Sequence, residues 1–185
     1  MIELLLLLAT ATPVPAVTPV CLLDGSGKQA DAKLSFEDFD QVGTLPLTWR
    51  KLAEAGCYKE AIAAISDYLI NGPVLNPKQQ RVLLFHLGQM LAFNGEERRA
   101  ADFVAASREP LGERSEADKL NWNDYVAGTW AFLMKDRKFL IRSRDAVLAG
   151  GTRNAKNAAF LSGLERCFDK PYSVAHNQNC GKEPK

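Results

Sequence analysis

The chain has 185 residues, 46% of them hydrophobic, and its 23 basic and 22 acidic side chains leave a net charge of +1. This length allows one domain with its own core, and the composition excludes a disordered chain. The near balance of charge argues against a surface that binds nucleic acid over its whole extent.

The first sixteen residues, MIELLLLLATATPVPA, are typical of a secretory signal peptide. Leucines at positions 4–8 form an apolar segment too short to cross a bilayer. Small residues give cleavage sites after Ala11 or after Ala16. Glu3 stands where such leaders usually carry a basic residue, and the alternative is a short buried N-terminal helix. We favour export.

The segment after the leader, residues 17–43, predicts an irregular tail with one short ordered piece at residues 34–39. Cys21 is not expected to carry a lipid, because Thr18, Pro19 and Val20 precede it and lipid attachment requires small residues there. The sequence therefore predicts a soluble protein of the periplasm or the exterior, with no transmembrane segment once the leader is removed.

Four cysteines lie beyond the leader, and in an oxidising compartment an even number predicts two disulfides. Three pairings are possible, and we favour Cys167 with Cys180, which are close in sequence, leaving Cys21 with Cys57. In the chain-entropy model each bond contributes about 3–4 kcal/mol before native strain is subtracted. The alternative is a zinc site at Cys167, His176 and Cys180, but no fourth ligand is evident, so we expect no metal.

A first pair of helices is predicted from residue 44 onward. Thr44 can cap a helix that has Pro46 in its first turn and that ends at Gly56. The second helix of the pair begins near Tyr58 and ends at residues 71–73, where Asn-Gly-Pro stops it.

The clearest helical pair covers residues 76–108. Asn76 and Gln79 predict a capping box around a proline at the first helical position, and Gly95 predicts the turn into the second helix. Apolar side chains recur around much of the first helix, so it must be covered by neighbours. These side chains are Val82, Leu83, Phe85, Leu87, Met90, Leu91 and Phe93.

A third pair follows a turn at residues 109–112. Ser115 with Asp118 forms a weakened capping box before an aromatic-rich helix, and a second helix covers residues 136–149. A last helix is predicted at residues 154–168. Residues 169–185 predict a polar tail held by its disulfide.

Equivalent positions in these pairs repeat with one period. Gly56 and Gly95 lie 39 residues apart, and Gly88 and Gly128 lie 40 apart, which is typical of stacked helical hairpins. The centre reads Leu-x2-Leu-Gly-x2-Leu at residues 84–91, then Ala-x3-Val at residues 100–104. This pattern resembles the tetratricopeptide repeat, although the period exceeds the family's 34 residues.

The resemblance implies an all-α fold, a short α-solenoid of about three antiparallel hairpins with a C-terminal capping helix, over residues 44–168. Proteins of this family hold extended peptides or partner proteins on the surface of their first helices. On the first helices of this chain, Phe85, Phe93 and Trp122 are alternatively core residues sealed by the N-terminal tail. In the register of Gly88 and Gly128, the groove positions fall on Arg50, Glu54, Phe85, Gln89, Phe93, Trp122, Tyr125 and Thr129.

The sequence contains no recognisable catalytic motif, and His86 on the apolar central helix is interpreted as a packed, hydrogen-bonded histidine. We therefore expect a non-enzymatic scaffold or adaptor that binds a protein or peptide, without a cofactor. The alternatives are an envelope enzyme, a hydrolase or a cell-wall-modifying enzyme on a helical scaffold, and a structural subunit of an envelope complex. One basic run forms either a solvated helix face or a contact for an anionic partner: Lys135, Arg137, Lys138, Arg142 and Arg144.

Overall fold

The computed structural model describes residue 21, residues 32–42, 48–110 and 121–178, and residue 180. Every regular element within these ranges is helical, which confirms the predicted all-α class. No helix in the described parts of the chain is both long enough and apolar enough to cross a membrane. The predicted leader at residues 1–16 and the Ser115 cap lie outside the described residues.

A short π-helical segment at Glu37–Val42 comes first, where the sequence predicts one ordered piece in the N-terminal tail. A 3-10 turn occupies Thr152–Asn154. The α-helices of the described residues are α1 (Trp49–Glu54), α2 (Tyr58–Asn71), α3 (Pro77–Phe93), α4 (Glu97–Ala106), α5 (Trp122–Leu133), α6 (Arg137–Ala149), α7 (Ala155–Arg166) and α8 (Tyr172–His176).

Consecutive helices pack against each other in pairs. Helix α1 packs on α2, α3 on α4, and α5 on α6. The pairs then stack in chain order, with α2 against α3, α4 against α5, and α7 against both α5 and α6. The core is continuous across all three pairs, because each amphipathic hairpin buries its apolar faces only against its neighbours.

The turns inside the three hairpins have the same geometry. Gly56, Gly95 and Lys135 have φ angles of 76°, 85° and 59°. In each turn the next residue donates its backbone N–H to the carbonyl five residues earlier, at 2.8 or 2.9 Å. This is the hydrogen bond that closes a helix C-terminus on a left-handed residue. The period of 39 and 40 residues therefore extends to a third turn, where lysine replaces the expected glycine.

The first helix of the central hairpin begins at a local capping signal. Asn76 accepts a hydrogen bond from the Gln79 backbone N–H at 2.9 Å, and the Gln79 side chain accepts from the Asn76 N–H at 3.0 Å. The predicted capping box is thus confirmed. Helix α1 is different, because it begins at Trp49 after Thr48 and not near Thr44. Residues 43–47 lie outside the described residues.

Gly88 lies where α3 crosses α4, a place where the repeat pattern needs a small residue. A Cβ atom placed there would come within 2.7 Å of Val104 Cγ2 and 3.1 Å of the Ala100 carbonyl oxygen. Gly128, the equivalent residue of α5, has a different neighbour, because its Cβ would lie 2.7 Å from Leu161 of α7. The last long helix thus packs against the place on α5 that the repeat assigns to a crossing within the hairpin.

Both predicted disulfides are present. Cys21 is bonded to Cys57 and Cys167 to Cys180, with Cα–Cα distances of 5.4 and 5.2 Å. The prediction of a polar tail from residue 169 is wrong for residues 172–176. There α8 forms, and the side chains of Tyr172 and Ala175 are completely buried.

Candidate functional site

Three of the predicted groove residues form one aromatic cluster between α3 and α5. The ring of Phe85 lies 5.2 Å from the rings of both Trp122 and Tyr125, and Trp122 and Tyr125 lie 6.1 Å apart. Phe160 of α7 extends the cluster, with its ring 5.8 Å from Tyr125. The first helices of the second and third hairpins and the last long helix therefore share one aromatic surface. We call it the first-helix face, and it consists of Phe85, Gln89, Phe93, Trp122, Tyr125 and Phe160.

Helix α8 covers one end of the first-helix face. The Tyr172 ring lies 5.3 Å from Phe93, and its hydroxyl accepts a hydrogen bond from Gln89 Nε2 at 3.0 Å. The Tyr172 backbone N–H donates to Glu97 Oε1 at 2.6 Å. His176, one turn further, lies 4.7 Å from the ring of Phe93 and so extends the contact along the same helix.

Burial divides seven of the eight predicted groove residues, and the eighth, Arg50, contacts Asp40 of the N-terminal segment. Phe85 and Thr129 are 2% and 0% exposed, so they belong to the core and offer no surface to a partner. Glu54 is exposed and forms an ion pair with Lys51 at 2.7 Å, on the short helix α1. Four residues are half-buried on the first-helix face: Gln89, Phe93, Trp122 and Tyr125.

The covered end of the face is poor in water. Burial raises the pKa of the Tyr125 hydroxyl, and it raises the pKa of Tyr172 well above its ordinary value, with a further contribution from nearby Tyr125. Burial also lowers the pKa of His176 below its ordinary value. The sealing element at this end is therefore the C-terminal helix, whereas the sequence analysis considered the N-terminal tail for that role.

The N-terminal segment covers a different part of the molecule. Asp40, at the centre of the π-helical segment, is completely buried, and its carboxylate is bound by His86 Nδ1 at 2.7 Å. Arg50 lies 3.7 Å from the same carboxylate and also donates to the Asp40 backbone carbonyl, while Gln41 donates from its side chain. A buried carboxylate with this many partners is compensated. The ring of Trp49 lies 4.9 Å from His86, so His86 is packed and hydrogen-bonded, as the sequence predicts.

The residues considered as zinc ligands have other partners. The sulfurs of Cys167 and Cys180 are bonded to each other, and His176 lies among aromatic rings. One group of metal-ligating side chains lies close together in the described residues, Cys21 with Cys57 and Glu60. Its two sulfurs also form a disulfide and are therefore not available as thiolate ligands.

The fold and the face define a class: an all-α, disulfide-bonded protein of consecutive helix hairpins, with aromatic side chains on its first helices. No family model, curated protein or solved structure matches the chain significantly. Sequence reasoning placed Phe85, Trp122 and Tyr125 together but missed Phe160, Tyr172 and His176. The available signal was the cysteine pair of the C-terminus, which predicts a segment held against the last helix.

Proposed function

We propose that this chain is an exported, periplasmic protein that binds an extended peptide or a partner protein without catalysis. The binding surface is the part of the first-helix face that α8 leaves uncovered, at Trp122. The observation that carries this proposal is the half-buried aromatic cluster of α5 and α7, which packs on the buried Phe85 ring of α3. The resemblance to the tetratricopeptide repeat supports the same use of first helices.

Trp122 is positioned for binding before any partner arrives. Its indole Nε1–H donates to the Ser107 carbonyl oxygen at 2.8 Å, at the C-terminal end of α4. This hydrogen bond fixes the ring plane, so little side-chain freedom is lost when a partner covers the ring. Tryptophan and tyrosine in well-packed surroundings are also the residues that contribute most to interface energies.

Export is tested on protein purified from its native host. We expect mass measurement to show that the residues up to Ala11 or Ala16 are missing, because the leader is removed on secretion. Peptide mapping without reductant should recover Cys21 with Cys57 and Cys167 with Cys180 as bonded pairs. An intact Met1 together with four free thiols would contradict the proposed compartment.

Binding is tested by capture of partners from envelope extracts with immobilised mature protein. Trp122→Ala is expected to abolish the enrichment of a partner that wild type captures, since the variant loses a preorganised aromatic anchor. The matched control is Phe103→Ala, which removes a half-buried ring of α4 that is not part of the first-helix face. Equal loss of capture in both variants, with equal loss of thermal stability, would show that Trp122 acts only as core.

An enzyme on a helical scaffold is the second candidate, and the pairing of Asp40 with His86 is the observation in its favour. A buried carboxylate at 2.7 Å from Nδ1 fixes the imidazole orientation, which is also how general-base histidines are held. Assays of mature protein with peptide, ester and cell-wall polymer substrates distinguish the candidates. Turnover that His86→Gln abolishes, with the melting temperature unchanged, would replace the scaffold proposal with this one.

A further inference from the structure

A cavity of about 280 Å³ opens between α4, α5 and α6, away from the first-helix face. Ala105 and Ala127 line it, and their small side chains leave the space that a larger residue would fill. Trp130 and Phe139 also line it, with ring centroids 6.1 Å apart and planes at 78°. The interior is therefore apolar and aromatic.

One arginine lines this cavity, and a second lies against the ring that forms one of its walls. Arg108 lines the cavity, and the Arg142 guanidinium lies 5.4 Å from the centre of the Phe139 ring. Neither side chain forms a salt bridge with a carboxylate of the described residues. An anionic group held beside the cavity would meet two cations that form no salt bridge within the described parts of the chain.

The neighbouring cations of the basic run are engaged elsewhere. Lys135 pairs with Glu97 at 3.5 Å and Arg137 with Asp169 at 3.4 Å. Arg144 is held by carboxylates on α6 and α7. Three members of the basic run are thus paired with carboxylates. Arg142 instead places its guanidinium against the Phe139 ring, which forms one wall of the cavity.

We propose that this cavity binds one large apolar side chain of a partner polypeptide, with acidic residues on either side of it. Its volume of about 280 Å³ lies just below the range of small-molecule sites, about 300–1,000 Å³, which suits a single side chain better than a long acyl chain or a cofactor. The aromatic walls favour phenylalanine or tryptophan, and the two arginines select carboxylates. This site is independent of the first-helix face.

The experiment is a titration of the isotope-labelled mature protein, followed by amide and indole NMR shifts. The probe is the acetylated, amidated peptide Glu-Glu-Phe-Glu-Glu, and the control peptides carry Ala for Phe or Lys for Glu. We expect the probe to shift Ala105, Ala127, the Trp130 indole and Phe139, and the control peptides to leave them unchanged. Equal shifts with the Ala peptide, or shifts confined to the first-helix face, would overturn the proposal.

Two variants locate the interaction. Ala105→Trp fills the cavity from an exposed position of α4 and should abolish binding without unfolding the protein. Arg108→Glu places a negative charge beside the acidic peptide and should weaken binding by about tenfold or more, because the two repel each other. Lys156→Glu makes the same change of charge at an exposed position of α7, away from the cavity, and serves as the control. Wild-type affinity in Ala105→Trp, or equal weakening in both charge variants, would show that the peptide binds elsewhere.

Discussion

Replacing Gly88 with leucine is expected to destabilise the protein by about 3 kcal/mol or more, at the upper end of the cost of overpacking a core. Even the first added atom would lie 2.7 Å from Val104 Cγ2 and 3.1 Å from the Ala100 carbonyl oxygen. The Val104 rotamer is restricted in a helix, and the carbonyl belongs to the backbone, so neither neighbour yields easily. The two helices of the central hairpin must separate, and chemical denaturation measures the cost.

A matched control makes this result specific to the helix crossing. Ala159→Leu adds a side chain of the same kind to an exposed position of α7, where it meets no neighbour across a crossing. We expect that variant to unfold within about 0.5 kcal/mol of wild type, as surface substitutions do. A Gly88→Leu protein that unfolds like the control would mean that α3 and α4 do not cross at this residue.

The hairpins were predictable because their signals are local. The capping pair at Asn76 and Gln79, the turn at Gly95 and the helical period of apolar residues all act within a few residues of each other. Each local choice agrees with the final fold, which is why the helix boundaries of the central hairpin match the prediction. The third turn was predicted by the start of a helix at residue 136, but its left-handed residue was not, because Lys135 adopts a backbone conformation that sequence reasoning assigns to glycine.

The side chain of Lys135 makes contacts that reach beyond its own turn. Its ammonium is 4.2 Å from the centre of the Phe132 ring, 3.5 Å from Glu97 Oε2 and 3.3 Å from the carbonyl of Lys170. These contacts join the second hairpin, the third hairpin and the segment before α8. A glycine would adopt the backbone conformation more easily, but it would make none of these contacts.

The sequence predicted which residues of neighbouring helices come together at the candidate site. It did not predict how deeply those residues are buried. Phe85, Trp122 and Tyr125 come together because positions on neighbouring first helices follow from the hairpin period. Whether such residues face a partner or the core depends on what packs over them. Here Phe160 of α7 packs against Tyr125, and α8 covers Phe93. The covering helix α8 has only five residues, and its sequence shows little helical periodicity. From the sequence alone, Tyr172 is therefore assigned to a polar tail, and only the tertiary contacts show that it is buried.

Tyr172→Ala is expected to cost about 3–5 kcal/mol, the range for truncating a fully buried aromatic side chain. Tyr172 is 0% exposed, and its ring lies 5.3 Å from Phe93 and 6.1 Å from Phe132. The truncation would also leave Gln89 without its hydrogen-bond partner. Denaturation with the disulfides intact measures the loss, since Cys167–Cys180 then still holds α8 close to α7.

Tyr172→Phe separates the ring from the hydroxyl. Losing the bond to Gln89 should cost about 0.5–1.5 kcal/mol near neutral pH. The variant should also lose less stability than wild type as pH rises above about 10, the ordinary tyrosine pKa. Burial raises the Tyr172 pKa in the folded protein, so the unfolded chain releases this proton first and unfolding becomes more favourable. Wild-type stability in Tyr172→Ala, or the same alkaline profile in Tyr172→Phe, would show that α8 does not seal the first-helix face in solution.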